Sequence, residues 1–181
     1  MENKTLILDE VAIRRAVARI THEIIERNNG VENVCLLGVK TRGVPRAEML
    51  ADNISRFEGI SVPVGTLDIT VHRDDLSAED KLGKAGQCHF PCDIRDRDVV
   101  IVDDVLFTGR TTRAAIESVF AFGRPRSLQL AVLLDLGHRE LPVRADYVGK
   151  NVPTSRNEAI SVQIGSIDGE TAVYIRSDRN S

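Results

Sequence analysis

The chain has 181 residues, of which 42% are hydrophobic and 28% are charged, and its formal net charge is -3. This length is enough to bury one sizeable core, and we expect a single domain over residues 1–181. The weakly acidic balance excludes a general polyanion-binding protein, which is usually basic overall. No run approaches the roughly 18 apolar residues of a membrane span, and no cationic and apolar leader opens the sequence, so we expect a cytoplasmic protein without a membrane partner.

Helix-like and strand-like segments alternate along the chain. Residues 10–27 have apolar positions at helical spacing, and further helices are expected near Pro45 and from Thr111 or Thr112 to just before Gly123. Four apolar runs predict strands, at residues 34–38, 62–71, 99–102 and 128–134. This alternation indicates an α/β fold in which helices flank a mostly parallel, twisted sheet.

The segment at residues 73–93 differs from the rest because it is charged, glycine-containing and aperiodic. It predicts a mobile excursion that acts as a lid. In open α/β sheets the ligand lies beyond the carboxyl ends of the strands. The loops that follow Gly38, Val71, Val102 and Leu134 are therefore the candidates for a binding site.

The strongest local signal follows the predicted strand at residues 99–102. Two carboxylates, Asp103 and Asp104, precede a turn rich in small and hydroxyl-bearing residues at a helix start. A helix N-terminus presents free N–H groups and a partial positive charge, so this turn suits a phosphate. The carboxylates would repel a bare anion, which favours a role with ribose hydroxyls or a divalent cation. The residues that follow the pair in this loop are Val105, Leu106, Phe107, Thr108, Gly109, Arg110, Thr111 and Thr112.

Each part of this loop has a plain structural explanation when taken alone. The carboxylates would begin a turn, and Thr111 would cap a helix. The combination favours the phosphate site. The sequence has no Gly-x-x-x-x-Gly-Lys-Ser/Thr and no Gly-x-Gly-x-x-Gly after a strand, which excludes a P-loop NTPase and a Rossmann dehydrogenase.

The run at residues 99–111 resembles the signature with which type I phosphoribosyltransferases bind 5-phosphoribosyl-1-pyrophosphate (PRPP). Other segments resemble one branch of that family, the pyrimidine operon attenuation regulators that are also uracil phosphoribosyltransferases. These segments are residues 8–10, 13–16, 38–43, 68–76 and 137–155. Together the resemblance extends over residues 6–163. It implies the type I phosphoribosyltransferase fold, with a mobile lid and a small hood, in a homo-oligomer that is a dimer or higher.

The same resemblance implies an enzyme that converts uracil and PRPP into UMP and diphosphate, with Mg²⁺ on the PRPP. Asp103 and Asp104 are then the catalytic pair, on the ribose hydroxyls and on the metal, directly or through water. Arg73 begins the lid and closes onto the pyrophosphate; the alternative is an exposed ion cluster with its neighbouring aspartates. The pyrophosphate loop, which in isolation would be a solvated turn, comprises Lys40, Thr41, Arg42 and Gly43.

The loop after the strand at residues 128–134 is expected to bind the base. Uracil has donor and acceptor edges, which backbone groups of a loop can recognise, and we assign Leu136 and His138 to this pocket. The related proteins usually have an arginine where this chain has Leu136. The change removes a side-chain donor and leaves the backbone groups of residue 136 in place.

A second expected partner is pyrimidine-operon leader RNA, bound when UMP occupies the active site. The resemblance assigns this contact to five residues, Arg19, His22, Arg139, Arg144 and Lys150. Ala18 stands where a threonine is common in the related proteins. The alternative for the helix residues is a solvated surface. With five phenylalanines, two tyrosines and no tryptophan, recognition is expected to use phosphates, RNA shape and polar contacts rather than base stacking.

Two other functions remain open from the sequence. One is a salvage phosphoribosyltransferase for uracil or a purine that does not bind RNA. The other is a PRPP or nucleotide sensor that has lost catalysis, for which Leu136 is the only sequence support.

Overall fold

A five-stranded parallel sheet forms the centre of the protein in the computed structural model, which describes residues 3–75, 77–78, 87–155 and 157–177. Its strands are β2 (Val34–Val39), β3 (Val64–Leu67), β4 (Asp98–Leu106), β5 (Ser127–Asp135) and β6 (Tyr147–Asn151). They lie in the order β3-β2-β4-β5-β6, and each neighbouring pair is parallel. The predicted α/β class with a mostly parallel sheet is confirmed.

Helices cover both faces of this sheet. They are α1 (Glu10–Arg27), α2 (Gly43–Glu58) and α3 (Arg110–Phe122). The Asp9 side chain caps α1 by accepting a hydrogen bond from the Ala12 N–H at 2.7 Å. The apolar stripe predicted for α1 is buried against the sheet together with residues of α2, whereas α3 packs against the opposite face. No helix in the described ranges is long and apolar enough to cross a membrane.

A second, three-stranded antiparallel sheet is built from the two ends of the chain. Its strands are β1 (Asn3–Leu8), β7 (Glu158–Gln163) and β8 (Ala172–Ser177), in the order β1-β8-β7, and a short helix, α4 (Gly165–Asp168), precedes β8. Leu8, Val162 and Val173 are buried in the core that also contains the inner face of α1. This sheet forms the small hood of the fold.

The strand predicted at residues 62–71 is shorter than expected. β3 ends at Leu67, and a 3-10 turn follows at Thr70–His72. The cause is local, because the Asp68 carboxylate accepts hydrogen bonds from the Thr70 N–H at 3.0 Å and from its hydroxyl at 2.6 Å. Within the predicted lid, residues 76 and 79–86 lie outside the described residues. His89, near its end, forms an antiparallel bridge with Thr66 of β3.

Candidate functional site

The loops after β2 and β4 meet at the carboxyl edge of the central sheet. Gly43, the first residue of α2, lies so close to β4 that an added Cβ would be 2.3 Å from the Val102 carbonyl oxygen and 3.2 Å from the Asp103 Cα. Only glycine fits such an approach. The packing brings the predicted pyrophosphate loop against the predicted acid pair.

The acid pair lies within strand β4, which continues to Leu106 rather than ending at Val102. Asp103 accepts a hydrogen bond from the Asp104 N–H at 2.8 Å. Desolvation and the adjacent Asp104 carboxylate raise the pKa of Asp103 well above its usual range. The strand also explains why the Leu106 side chain is buried in the core, so that this residue offers a ligand only its backbone.

A concentration of negative charge of this kind fits a divalent cation with oxygen ligands. The described residues contain no cluster of three or more His, Cys, Asp or Glu side chains arranged to hold a metal ion. The pair therefore suits a cation that takes its remaining ligands from a phosphorylated substrate and water, as Mg²⁺ commonly does.

The predicted phosphate turn follows at Thr108 and Gly109. Helix α3 begins at Arg110, and its N-cap is Gly109 with φ 95° and no side-chain cap. The interpretation of Thr111 as a helix cap is therefore wrong. The Thr111 side chain is exposed at the first turn, while the Thr112 side chain is buried, so Thr112 can offer a phosphate only its backbone N–H.

The predicted pyrophosphate loop is tied to its surroundings at two points. The Lys40 ammonium lies 3.2 Å from the Gln87 carbonyl oxygen and 3.8 Å from the Asp68 carboxylate. The Arg42 guanidinium donates to the Val162 carbonyl and to the Asp168 carboxylate, each at 2.7 Å. The hydrogen bond with Asp168 raises the pKa of Arg42. Arg42 thus joins this loop to the second sheet, and Thr41 is exposed beside it.

The described start of the lid lies against the phosphate turn. Arg73 forms an ion pair with Asp75, with 2.8 Å between Nε and Oδ1. Asp74 accepts a hydrogen bond from Arg110 at 2.5 Å and lies 3.5 Å from the Arg113 guanidinium. These residues and the phosphate turn line one cleft, at Arg73, Asp74, Asp75, Thr108, Arg110 and Thr111. The structure brings Arg73 to the predicted phosphate site, and its guanidinium faces Asp75.

The loop after β5 is hydrogen-bonded to the phosphate loop. The Leu136 N–H donates to the Leu106 carbonyl at 3.0 Å, and the Leu136 side chain is buried in the core rather than directed towards a ligand. The His138 Nε2 lies 2.6 Å from the Thr154 carbonyl oxygen, and its ring packs edge-on against Phe107 at 5.2 Å between centroids. Residue 136 can therefore contact a base only through its backbone.

Arg139 connects three segments of this region. Its guanidinium donates to the Val143 carbonyl at 3.0 Å, to the Phe107 carbonyl at 2.8 Å and to the Asp135 carboxylate at 2.6 Å. Arg139 was predicted to contact RNA, but in this structure its donors are used to hold the phosphate loop against the loop that follows β5.

The remaining predicted RNA residues fall into two groups. Arg19 on α1 donates to the carbonyls of Val148 at 3.1 Å and Gly149 at 2.6 Å, which places it next to the exposed Lys150 of β6. His22, one turn along α1, stacks on Phe57 of α2 with 4.5 Å between ring centroids. Arg144 is exposed elsewhere, in a surface pocket that Arg139 also lines. The structure thus places Arg19 next to Lys150, with His22 one turn further along α1 against Phe57, and leaves Arg139 and Arg144 beside the loop that follows β5.

Arg46 is a buried cation that the sequence interpretation missed. Arg46 is 3% exposed, and its side chain donates a hydrogen bond to the Met49 sulfur at 3.4 Å. Its Nε and Nη2 have no hydrogen-bond partner among the residues that the structure describes. Burial lowers the pKa of Arg46, whereas the Asp104 carboxylate acts in the opposite direction. The available signal was its position, because Arg46 shares a helix face with Ala47, Leu50 and Ile54.

Comparison with known proteins shows the family of this chain. The phosphoribosyl transferase domain family matches residues 4–165. The bifunctional protein PyrR of Clostridium novyi (strain NT) is 54% identical over 175 residues, which cover 97% of this chain and 98% of the relative. That of Acetivibrio thermocellus is 56% identical over 177 residues, covering 97% and 95%. Among solved structures, hypoxanthine phosphoribosyltransferase from Trypanosoma cruzi in complex with the product IMP has a TM-score of 0.71 at 19% identity, covering 98% and 91%.

Proposed function

Because this chain belongs to the phosphoribosyltransferases and, within them, to the bifunctional PyrR proteins, we propose that the site at the carboxyl end of its central sheet transfers phosphoribose to uracil. We also propose that this site controls RNA binding on a nearby face. The reaction is uracil plus PRPP giving UMP and diphosphate. The regulatory activity is UMP-dependent binding of pyrimidine-operon leader RNA. The observation that carries the enzymatic assignment is the adjacent pair Asp103 and Asp104, placed before the phosphate turn at the start of α3.

The acid pair orients the ribose. When the bond between C1 and pyrophosphate breaks, positive charge develops on the ribose ring, and carboxylates near the ring stabilise it. Asp103 and Asp104 accept hydrogen bonds from the ribose hydroxyls, and they are the residues that would hold Mg²⁺, directly or through water. The cation, when bound, neutralises charge on the leaving pyrophosphate.

The two phosphate groups of PRPP lie on different loops. The N–H groups of residues 109–112 and the Thr108 and Thr111 hydroxyls bind the 5-phosphate at the N-terminus of α3. Lys40, Thr41 and the backbone of Gly43 bind the pyrophosphate, while Arg42 fixes this loop to the hood through Asp168. Arg73, at the start of the lid, turns from Asp75 onto the pyrophosphate and excludes water from the activated ribose.

The base lies against the loop after β5. Backbone groups of residues 136–138 recognise the donor and acceptor edges of uracil, since the Leu136 side chain is buried. His138 is held in place by Thr154 and Phe107. Arg139 donates a hydrogen bond from this loop to the Phe107 carbonyl. Through this contact, binding of PRPP at the phosphate turn affects the loop that binds the base, and binding of the base affects the phosphate turn.

RNA binds to the face formed by Arg19, His22 and Lys150, with Arg144 extending it towards the base loop. Because UMP favours the RNA-binding form, RNA favours UMP binding by the same factor. Arg139, which ties the loop after β5 to the phosphate loop, contributes to RNA affinity through the position of that loop. The protein acts in the cytoplasm, where PRPP and leader RNA occur together, as a dimer or higher oligomer.

Turnover of uracil with PRPP and Mg²⁺, measured beside hypoxanthine and orotate, tests the enzymatic part. Uracil is expected to be the preferred base. Preference for hypoxanthine would point to a purine salvage enzyme, and absence of turnover with intact PRPP binding would point to a nucleotide sensor.

Filter binding of a pyrimidine leader RNA with and without UMP tests the regulatory part. Tighter binding with UMP is expected. The alternative is a salvage enzyme whose α1 surface faces solvent and contacts no RNA. This alternative predicts uracil turnover with no RNA binding at any UMP concentration.

A further inference from the structure

Arg46 holds a full positive charge in the interior next to the acid pair. The cost of burying an unpaired guanidinium is large, and proteins retain such a group when another charge offsets it. Arg46 has two nitrogens without a hydrogen-bond partner in the described part of the chain, so hydrogen bonds within the core do not offset it. Its location relative to Asp103 and Asp104 therefore decides its role.

The packing of α2 on β4 determines that location. Gly43, one turn before Arg46, is pressed against Val102 and the backbone of Asp103. Arg46 is on the same buried face of α2, and with Asp103 and Val102 it lines a small cavity. The other residues around this cavity are apolar, at Val17, Ile20, Leu50, Ala131, Val132 and Leu133. The nearby charges are Asp103, Asp104 and Arg42.

We propose that Arg46 is a positioning residue for the acid pair, in which its buried charge offsets the repulsion between the Asp103 and Asp104 carboxylates from the core side. This inference rests on the proposed role of the pair in PRPP binding. Two adjacent carboxylates repel each other, and a ribose with its cation requires both oxygen donors at once. A cation beneath the pair reduces that repulsion and leaves the outer side of both carboxylates open to the ligand, because Arg46 is buried.

The proposal predicts that one substitution separates stability from ligand affinity. Arg46→Leu removes the desolvation cost of the guanidinium and retains apolar volume, but it also restores the repulsion between the carboxylates, so the melting temperature is expected to stay close to that of the parent. The same change leaves the carboxylate pair without its offsetting charge, so affinity for PRPP with Mg²⁺ is expected to fall roughly tenfold. Arg46→Lys keeps a cation and is expected to restore most of this loss.

Calorimetric titration of PRPP and Mg²⁺ into the full chain, without uracil so that nothing turns over, measures this affinity directly. Arg56→Leu is the matched control, since Arg56 is an exposed arginine in the last turn of the same helix. It is expected to bind PRPP as the parent does. In an Asp104→Asn background, Arg46→Leu is expected to have a much smaller effect, since the partner charge is already gone.

Parent-like PRPP affinity in Arg46→Leu would overturn the proposal, as would an equal loss in Arg46→Lys and Arg46→Leu. An undiminished effect of Arg46→Leu in the Asp104→Asn background would also contradict it, because Arg46 would then act through another group. If Arg46→Leu does not fold, Arg46→Gln, which removes the charge and keeps a polar side chain, makes the same comparison with Arg46→Lys. Failure of the parent itself to bind PRPP would refute the proposed enzymatic function instead.

Discussion

Strand β4 has one carboxylate at its start and a pair of carboxylates near its other end, and the surroundings of these two places differ. At its start, Asp98 accepts hydrogen bonds from Arg126 at 3.1 Å and from the Ser127 hydroxyl at 2.8 Å, and the Arg126 hydrogen bond lowers the pKa of Asp98. Near its other end, desolvation and Asp104 raise the pKa of Asp103. The folded chain thus favours the charged form of one aspartate and opposes that of the other.

The contrast extends to the neighbouring strands. At the amino end of the sheet, the Gln129 amide oxygen accepts from the Tyr147 hydroxyl at 2.6 Å, and Asp146 accepts from Arg27 at 2.6 Å. At the carboxyl end, Arg46 keeps two unpartnered nitrogens within the described structure. Polar groups that satisfy one another stabilise the fold, whereas the buried Arg46 guanidinium has a cost in stability and, in the proposed arrangement, supports the acid pair from the core side.

Asp104→Asn should produce the largest functional effect at the carboxyl end. We expect turnover of uracil to fall roughly a hundredfold, because an amide cannot supply the negative charge that the ribose and its cation require. The melting temperature should not fall, since the change removes a repulsion between like charges. Steady-state kinetics and thermal unfolding test both parts. Turnover close to that of the parent would exclude Asp104 from the reaction.

Asp98→Asn should produce the reverse pattern. We expect a loss of about 1 to 2 kcal/mol in the free energy of unfolding at neutral pH, with unchanged turnover, since Asp98 accepts charge-assisted hydrogen bonds far from the site.

The pH dependence follows from the lowered pKa of Asp98 in the folded state. Its stabilising contribution is present above the pKa of the unfolded chain, about 3.9, and is lost as the pH falls through the lower folded value. Denaturant unfolding of parent and variant should therefore converge below about pH 4. A difference that persists at low pH would show that the Asp98 charge is not the stabilising feature.

Thr111→Val should have a smaller effect that is confined to the ligand. The loss of one hydroxyl donor predicts a roughly fivefold weaker affinity for PRPP, with an unchanged melting temperature because Thr111 is exposed and does not cap α3. Calorimetric titration measures it, with Thr5→Val, an exposed threonine on β1, as control. A lower melting temperature with parent-like PRPP affinity would return Thr111 to a structural role.

Lys150→Gln should have the smallest effect and leave both ends of the sheet unchanged. We expect a few-fold loss of leader-RNA affinity, with turnover of uracil like that of the parent. The slope of log affinity against log salt concentration should be smaller in magnitude by about one. Arg19→Gln should also lower stability, because Arg19 donates to two carbonyls of β6. Arg95→Gln, an exposed arginine before β4, is the control for general charge. Unchanged RNA affinity in both test variants would place the RNA surface elsewhere.

The sequence predicted the central layers because their signals are strong and local. The apolar runs of β2, β4 and β5 are continuous because these strands are buried on both faces. Helix α1 has an apolar stripe because only one of its faces is buried. The strands of the second sheet were not predicted, and the family resemblance implied only that a small hood exists. Its strands have a mixed pattern of exposure, and β1 pairs with β8 from the other end of the chain, which no local window contains.

The site was predictable as a set of loops but not in its contacts. The acid pair and the phosphate turn are contiguous in sequence, so their motif identified them. The engagement of Arg42 by Asp168 and of Arg139 by Asp135 and Phe107 depends on tertiary packing. Arg139 was assigned to RNA through the family resemblance, and the sequence alone did not reveal that its guanidinium contacts its own protein, because a cationic side chain has the same residue type in either case. The roles of these residues in binding remain predictions.

Gly43 has a consequence for any attempt to redesign this enzyme. Its place against Val102 sets the spacing between the pyrophosphate loop and the acid pair, and even one methyl group there would overlap the carbonyl oxygen. Libraries that vary residue 43 will therefore shift the two halves of the PRPP site apart instead of altering the chemistry of one half. Variation aimed at a different leaving group is better directed to Lys40 and Thr41, whose side chains are exposed.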